Sequence, residues 1–311
     1  MKLSIVTPLY NEEDNIYPFL KEVRSVLENI KITDYQVVFV LDKSSDNSFN
    51  VLKKISLEDK KIKVLHLSRR YGHQESIVAG IEHSLKADII ITMDMDLQHP
   101  PSLIPKLIEK INEGYDVVFT KRLLNKDQGF LRNLLGNLFY KLNNYLSDTK
   151  LERGAADFRI IKGNIANNLI KNFPEKDFFL RGLISWIGFK QTYIEYNSEK
   201  RQIGKSKFNN IKKIQLATNG LISLSSKPLY ISIIFGIICG AISVVFLFFI
   251  VFDYFYNGNI PRGWTTLTSV ILIISSVQFL LLGIIGLYIG SIYKEIKSRP
   301  KYLIEDKINI E

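Results

Sequence analysis

One cysteine, Cys239, occurs in 311 residues, which excludes an intramolecular disulfide framework and a cysteine-built zinc site. Histidine is nearly as scarce. The four histidines, at 66, 73, 83 and 99, show no HxxxH spacing, so His99 reads as polar or structural and not as a metal ligand. Neither GxGxxG nor GxxxxGKS/T is present, so neither a dinucleotide fingerprint nor a P-loop is supported. Acidic residues begin at Glu12, too early for a signal-peptide core, and the N-terminus is expected to stay in the cytoplasm. Disorder is excluded by a hydrophobic content of 46% with clear periodicity.

Charge is missing from two long stretches. Residues 228–252 and 263–293 contain no Asp, Glu, Lys or Arg. As helices they would span roughly 37 and 46 Å, against a hydrocarbon core of about 30 Å. Both read as transmembrane helices. Lys200, Arg201, Lys205, Lys207, Lys212, Lys213 and Lys227 precede the first, and Lys294, Lys297, Arg299 and Lys301 follow the second. The loop from Asp253 to Arg262 carries one charge of each sign. The positive-inside rule therefore places both termini in the cytoplasm. The net charge of +10 then reads as attraction to anionic membrane lipid, not as a nucleic-acid footprint.

Before these spans, short apolar runs alternate with helical patterns. Strands are expected at Leu3–Thr7, Gln36–Leu41, Lys63–Leu67, Asp88–Met93 and Asp116–Thr120. Helices are expected at Asp14–Asn29, Asn47–Leu57, Gln74–Leu85 and Leu103–Asn112. The continuous runs Val37–Val40 and Ile89–Ile91 suit strands covered on both faces, and the alternation predicts an α/β fold with a mostly parallel, doubly wound sheet. Ligands of such sheets sit beyond the carboxyl ends of the strands. There the chain places Pro8-Leu9-Tyr10-Asn11-Glu12, Asp42-Lys43-Ser44-Ser45-Asp46 and Asp94-Met95-Asp96-Leu97-Gln98-His99.

Asp94 and Asp96 are the most informative pair. Period-two geometry at a strand end would send both carboxylates to one side, where they repel unless a cation sits between them or one is protonated. A hard divalent ion takes one or two carboxylates plus substrate phosphates.

With SIVTPLYNEEDNI, LDKSSDNS, LSRRYGHQESIVAGI, DMDLQHPPSLIP, GAADFR, RQIGKSK and RPKYLI in this order, the chain resembles glycosyltransferase family 2. The likeness is to its polyprenyl-phosphate branch, which includes dolichol-phosphate mannose synthases and bactoprenol glucosyltransferases. It implies a Rossmann-like GT-A domain over 1–207, an interfacial segment over 208–227, two membrane helices over 228–293 and a cytoplasmic tail over 294–311. Pro8, Tyr10, Glu12 and Asp42 match nucleoside-holding positions, and Arg201 and Lys207 match donor-phosphate positions. Asp94, Asp96 and Gln98 match the metal and diphosphate site for Mg²⁺ or Mn²⁺. Asp157 matches the catalytic carboxylate, as base or as orienting group, while Arg122 and Arg132 match positions facing the acceptor phosphate. Leu41-Asp42-Lys43-Ser44 departs from the family's usual D-D-G-S by losing the first polar residue and the glycine.

The resemblance implies an inverting transferase of the inner membrane. It would move a hexose, glucose from UDP-glucose, onto undecaprenyl phosphate at the cytoplasmic leaflet for cell-surface glycans such as lipopolysaccharide. A separate flippase and a downstream transferase would complete that pathway. Other sugars and a homo-oligomer stay open. A polymerising or protein-directed transferase and a non-catalytic membrane scaffold are the competing readings.

Overall fold

The structure is a computed structural model that describes residues 1–123, 154–173, 175, 180–197, 227–257 and 263–310. Arg132, Arg201, Lys207 and the interfacial segment 208–226 lie outside the described residues.

The first half follows the expected alternation: β1 (Leu3–Leu9), α1 (Ile16–Asn29), β2 (Tyr35–Leu41), α2 (Ser48–Glu58), β3 (Ile62–Leu67), α3 (His73–Glu82), β4 (Ile89–Thr92), α4 (Ile104–Asn112) and β5 (Val117–Arg122). Beyond it come β6 (Ala155–Lys162), α5 (Gly163–Asn172), α6 (Leu180–Trp186), β7 (Gln191–Tyr196), α7 (Lys227–Asn257), α8 (Trp264–Ile296) and β8 (Ile304–Ile308). Apolar residues of α1 recur as Ile16, Phe19, Leu20, Val23 and Leu27, one stripe of a helix, and all are buried. Lys31, in the left-handed region at φ 56°, stops the chain from continuing that helix.

Among the described residues the eight strands form one sheet in the order β7-β5-β6-β4-β1-β2-β3-β8. Strands β4, β1, β2 and β3 are mutually parallel, whereas β6 runs antiparallel to both β4 and β5, and β8 runs antiparallel to β3. The six strands β1 to β5 and β7 run the same way, so the sheet is mostly parallel as expected, and β6 and β8 are the two reversed strands that make it mixed. The apolar-run pattern does not reveal β6 because Asp157 and Arg159 interrupt it. Alternation along β1 and β2 serves two cores. Leu3, Ile5, Val37, Phe39 and Leu41 pack with α1, α2 and α4, while Val6, Val38 and Val40 pack with α3, α5 and α6. Gly80 of α3 lies so close to Val6 and Val40 that a Cβ there would collide with both, which sets α3 tight against the parallel strands.

The insertion of β6 positions the site. Thr92 at the end of β4 pairs with Arg159, so the first residues of β6 extend beyond the carboxyl end of β4. Lys121 pairs with Ala155, which brings the end of β5 to the same edge.

The segment expected as a tail instead returns to the sheet. Val64 pairs with Ile308, Leu67 with Ile304, and Ser68 N donates to Leu303 O. Tyr302 Oη donates to Glu82 at 2.6 Å, and Asn309 Nδ2 donates to the carbonyls of Ser56 and Ile62. In chain order the two long helices, α7 and α8, come between β7 and this strand. Large apolar side chains such as Phe248, Phe255, Phe279 and Leu280 are exposed along them. Among the described residues one helix, over Ile273–Ile296, is long and apolar enough to cross a membrane, and a shorter apolar stretch occupies Gly236–Phe246 in the other.

Candidate active site

Four loops meet at the carboxyl edge of β1 to β4. The first two are tied to each other: Asn11 N donates to Ser44 Oγ at 3.0 Å, Ser45 N donates to Asn11 Oδ1 at 2.8 Å, and Glu13 N donates to Asp46. Pro8 is buried inside β1 opposite Val40. Tyr10 is half-buried, with the Arg70 guanidinium stacked 3.9 Å over its ring, and Glu12 sits beside it, half-buried.

Asp42 is buried, and each of its oxygens accepts a backbone amide, from Tyr71 at 2.8 Å and from Gly72 at 3.0 Å. Gly72 has φ 123°, a conformation that L side chains rarely adopt, and it aims the 71–72 amides at the carboxylate. Asp42 thus shapes the loop that leads into α3.

The DMD run departs from the strand-end geometry. Strand β4 ends at Thr92, two residues before Asp94, so period-two alternation does not orient the carboxylates. A turn does. Leu97 has φ 58°, and Asp96 Oδ1 accepts from Gln98 N at 3.2 Å, a local bond that Asp side chains favour in turns. His99 is buried beneath this turn, stacked 5.5 Å from Phe158. Its Nδ1 accepts from Asp94 N at 3.2 Å, which requires that nitrogen to be unprotonated. Burial lowers the His99 imidazole and outweighs the pull of Asp94 and Asp96, in agreement with that role. Arg122 Nη2 donates to Gln98 Oε1 at 3.1 Å, bringing the expected acceptor-side arginine against the DMD turn.

Asp157 is the most heavily bonded group at this edge. Arg181 forks onto it, Nε to Oδ1 at 2.8 Å and Nη2 to Oδ2 at 2.6 Å. Arg159 Nη2 reaches Oδ1 at 3.0 Å, and His73 Nε2 lies 3.2 Å from Oδ2. Burial alone would raise the Asp157 carboxyl, but Arg181, His73 and Arg159 hold it well below the usual carboxylate range. Burial would likewise lower His73. The Asp94 and Asp157 carboxylates prevail, and it rises to about 9. Composition and spacing single out neither His73, Arg159 nor Arg181. An Arg two residues from Asp157 on β6 was the one available signal for Arg159, while His73 and Arg181 arrive from α3 and α6 by tertiary folding.

Asp94 and Asp96 supply the carboxylate oxygens a divalent cation takes, while Gln98 Oε1 already accepts from Arg122. Asp94 Oδ1 is buried without a hydrogen bond, and His73 Nε2 stands 3.5 Å away, an ion-pair distance only. Among the described residues no three His, Cys, Asp or Glu side chains form a complete cage. An ion that takes its remaining ligands from substrate phosphates needs no such cage.

Residues 4–169 match glycosyl transferase family 2, and the chain belongs to that family. It is a glycosyltransferase. Bactoprenol glucosyl transferase of Shigella phage SfX is 36% identical over 99% of this chain and 100% of its own length. The prophage bactoprenol glucosyl transferase homolog of Escherichia coli K12 is 36% identical over 98% of this chain and 99% of its own. Among solved structures, glucosyl-3-phosphoglycerate synthase from Mycobacterium tuberculosis, in complex with Mn²⁺, UDP-glucose and phosphoglyceric acid, aligns with a TM-score of 0.46 and 17% identity. That alignment covers 73% of this chain and 79% of the synthase.

Proposed function

We propose that this chain transfers glucose from UDP-glucose onto a polyprenyl phosphate at the cytoplasmic face of the membrane, inverting the anomeric centre. The observation that carries the reading is the end-to-end likeness to bactoprenol glucosyl transferases, in a chain whose sheet edge gathers Asp94, Asp96, Gln98, Arg122 and Asp157. Pro8, Tyr10, Glu12 and Asp42 form the wall assigned to the nucleoside, with Arg201 and Lys207 assigned to the donor phosphates and Arg122 and Arg132 to the acceptor.

Asp94 and Asp96 would hold Mg²⁺ or Mn²⁺, which when bound offsets the negative charge gathering on the leaving diphosphate. The acceptor oxygen bonds to the anomeric carbon as that carbon's bond to the diphosphate oxygen breaks, and the bonding pair leaves with UDP. A phosphate monoester has its second pKa near 6 and is largely dianionic at pH 7. Its attack yields a monoanionic diester, so no proton has to be removed.

The return of β8 to the sheet supports a hairpin in the membrane. Strand β7, earlier in the chain than α7, and β8, after α8, belong to one sheet, so the chain leaves and re-enters on one side, which two crossings satisfy and one does not. Lys294 in the last turn of α8, and Lys297, Arg299 and Lys301 after it, favour the cytoplasm for that side. Two spans offer no polar path for a sugar headgroup, so a flippase and a downstream transferase would act on the product.

Membranes containing the protein, given radiolabelled UDP-glucose and polyprenyl phosphate, test the reading. Label in an acid-labile lipid is expected. Label in polymer or protein would move the enzyme to another class of transferase, and no incorporation from a panel of donors would leave a scaffold.

A further inference from the structure

We infer that Asp157 is a positioning residue and that Arg181 is the cation it holds toward a phosphate group of the substrates. The inference rests on the transferase reading above and assigns a role to a side chain that sequence patterns leave unmarked.

The Asp157 carboxylate is saturated with donors. An ionised carboxylate offers about four acceptor sites on its two oxygens. Around Asp157, Arg181 and Arg159 occupy Oδ1, and Arg181 and His73 occupy Oδ2. A base must turn a lone pair toward the incoming acceptor, and here each oxygen already faces two nitrogen donors. The side chain is 5% exposed, so reaching a substrate would mean breaking the Arg181 fork.

The two arginines differ in exposure. Arg159 is 3% exposed and also donates to the carbonyl of Ala156, within its own strand. Arg181 is 34% exposed at the same carboxylate. Its two hydrogen bonds to Asp157 fix the guanidinium plane, the feature that suits arginine to planar recognition of phosphate. Of the two cations on Asp157, Arg181 is therefore the one a ligand can meet.

His73 contacts Asp157 at 3.2 Å and Asp94 at 3.5 Å, so Arg181 is linked through one carboxylate and one imidazole to the DMD turn. An anion beside that turn, in the assigned reaction, is a phosphate of the donor diphosphate or of the lipid acceptor. Since a dianionic acceptor attacks without a base, holding Arg181 is sufficient work for Asp157.

Full-length Arg181→Ala, Arg181→Lys, Asp157→Asn and the Arg181→Ala/Asp157→Asn double variant in lipid nanodiscs test this. In Arg181→Ala the Asp157 carboxylate keeps Arg159 and His73 as partners, so that variant strands no buried charge. Losing a hydrogen bond to a charged phosphate weakens its binding roughly 10- to 100-fold. Arg181→Ala should show that loss either in the Kd for UDP, marking the donor, or in the KM for polyprenyl phosphate, marking the acceptor, with partial recovery in Arg181→Lys. Asp157→Asn should lower kcat without changing the shape of its pH profile, and its loss should not add to that of Arg181→Ala in the double variant. An Asp157→Asn enzyme whose rate loses its acid limb would make Asp157 a base and overturn the inference. So would unchanged UDP and polyprenyl-phosphate affinities in Arg181→Ala. If the wild type forms no sugar-lipid from UDP-glucose, the assigned reaction fails by itself, and binding of UDP and of polyprenyl phosphate to wild type and variants still decides the role of Arg181.

Discussion

Lys43 Nζ lies 2.6 Å from Glu305 Oε2, joining the loop after the second strand to the last strand of the chain. Both side chains are close to half exposed, so this pair by itself contributes on the order of 0–1 kcal/mol. Strand β8 contributes far more, because it covers the edge of β3 and brings Tyr302 and Asn309 into hydrogen bonds with α3 and the β3 region. Glu305→Ala should leave thermal unfolding in detergent nearly unchanged. Truncation after Arg299 should lower the midpoint by many degrees and open the β3 edge to proteolysis. Equal effects of the two changes would assign the stability to the ion pair and not to the strand.

The Asp42–Gly72 contact makes a second prediction. Asp42→Asn puts an amide NH₂ or a single carbonyl where two backbone N–H groups need acceptors, leaving one buried donor unpaired at a cost of roughly 1–3 kcal/mol. Gly72→Ala adds a Cβ 2.9 Å from Glu75 Oε2 at φ 123°. Both substitutions should weaken UDP binding by about tenfold or more through the displaced 70–72 loop. Calorimetric titration of UDP is the measurement. Wild-type affinity in both would remove Asp42 from the nucleoside wall.

Legibility in the sequence follows how locally each feature is encoded. Strands β1 to β5 and helices α1 to α4 announce themselves because alternation and helical spacing are properties of neighbouring residues. Strand β8 does not, since Glu305, Asp306 and Lys307 are exposed and its place is set by pairing with the edge of β3, which is remote in sequence. Asp94 and Asp96 are visible as a motif, yet their directions come from the Leu97 turn and the His99 underneath it, which a strand period cannot foresee. Asp157 is visible only by resemblance. The four donors that define what it does come from α3, α6 and its own strand, and no spacing in the chain relates His73 to Arg181.

A third prediction concerns the DMD turn. Asp96→Asn keeps an oxygen for Gln98 N but removes one charge from the candidate cation site, so the turn should persist while turnover falls at least 100-fold. Activity should vanish with EDTA and return with excess Mg²⁺ or Mn²⁺. Near-wild-type turnover by Asp96→Asn in EDTA would remove the metal from the reaction.

His73 makes the stability depend on pH. The folded protein raises its imidazole to about 9, from an ordinary value of 6.5. The protonated form is thus favoured by folding, so its contribution is whole below about pH 6.5 and is lost as pH rises through 9. In EDTA, the unfolding midpoint of the wild type should fall across that window, and His73→Gln should show a flatter dependence. A parallel fall in His73→Gln would assign the slope to other groups.

The last prediction concerns the membrane. Strand β8 fixes Lys307 on the same sheet as the N-terminus, so whichever side holds the catalytic domain also holds the end of the chain. Two crossings by α7 and α8 would place Asn257, at the end of α7, on the opposite side. Cys239 lies within α7, so a Cys239→Ala background removes the one native thiol. In intact cells a cysteine at Asn257 should react with an impermeant maleimide from outside. A cysteine at Lys307, exposed on β8, should react only after the membrane is opened. Lys307 is the better reporter than Asn309, whose side chain bonds to Ser56 and Ile62. Protection of both positions in intact cells would mean that the hairpin lies along the inner leaflet without crossing, and exposure of both would contradict the cytoplasmic catalytic domain. Vesicles reconstituted with the protein alone should then accumulate sugar-lipid only in the leaflet facing that domain, because the sugar hydroxyls would lose their hydrogen bonds inside the hydrocarbon. Prompt appearance of product in the other leaflet would show that this chain moves its own product across and needs no separate flippase.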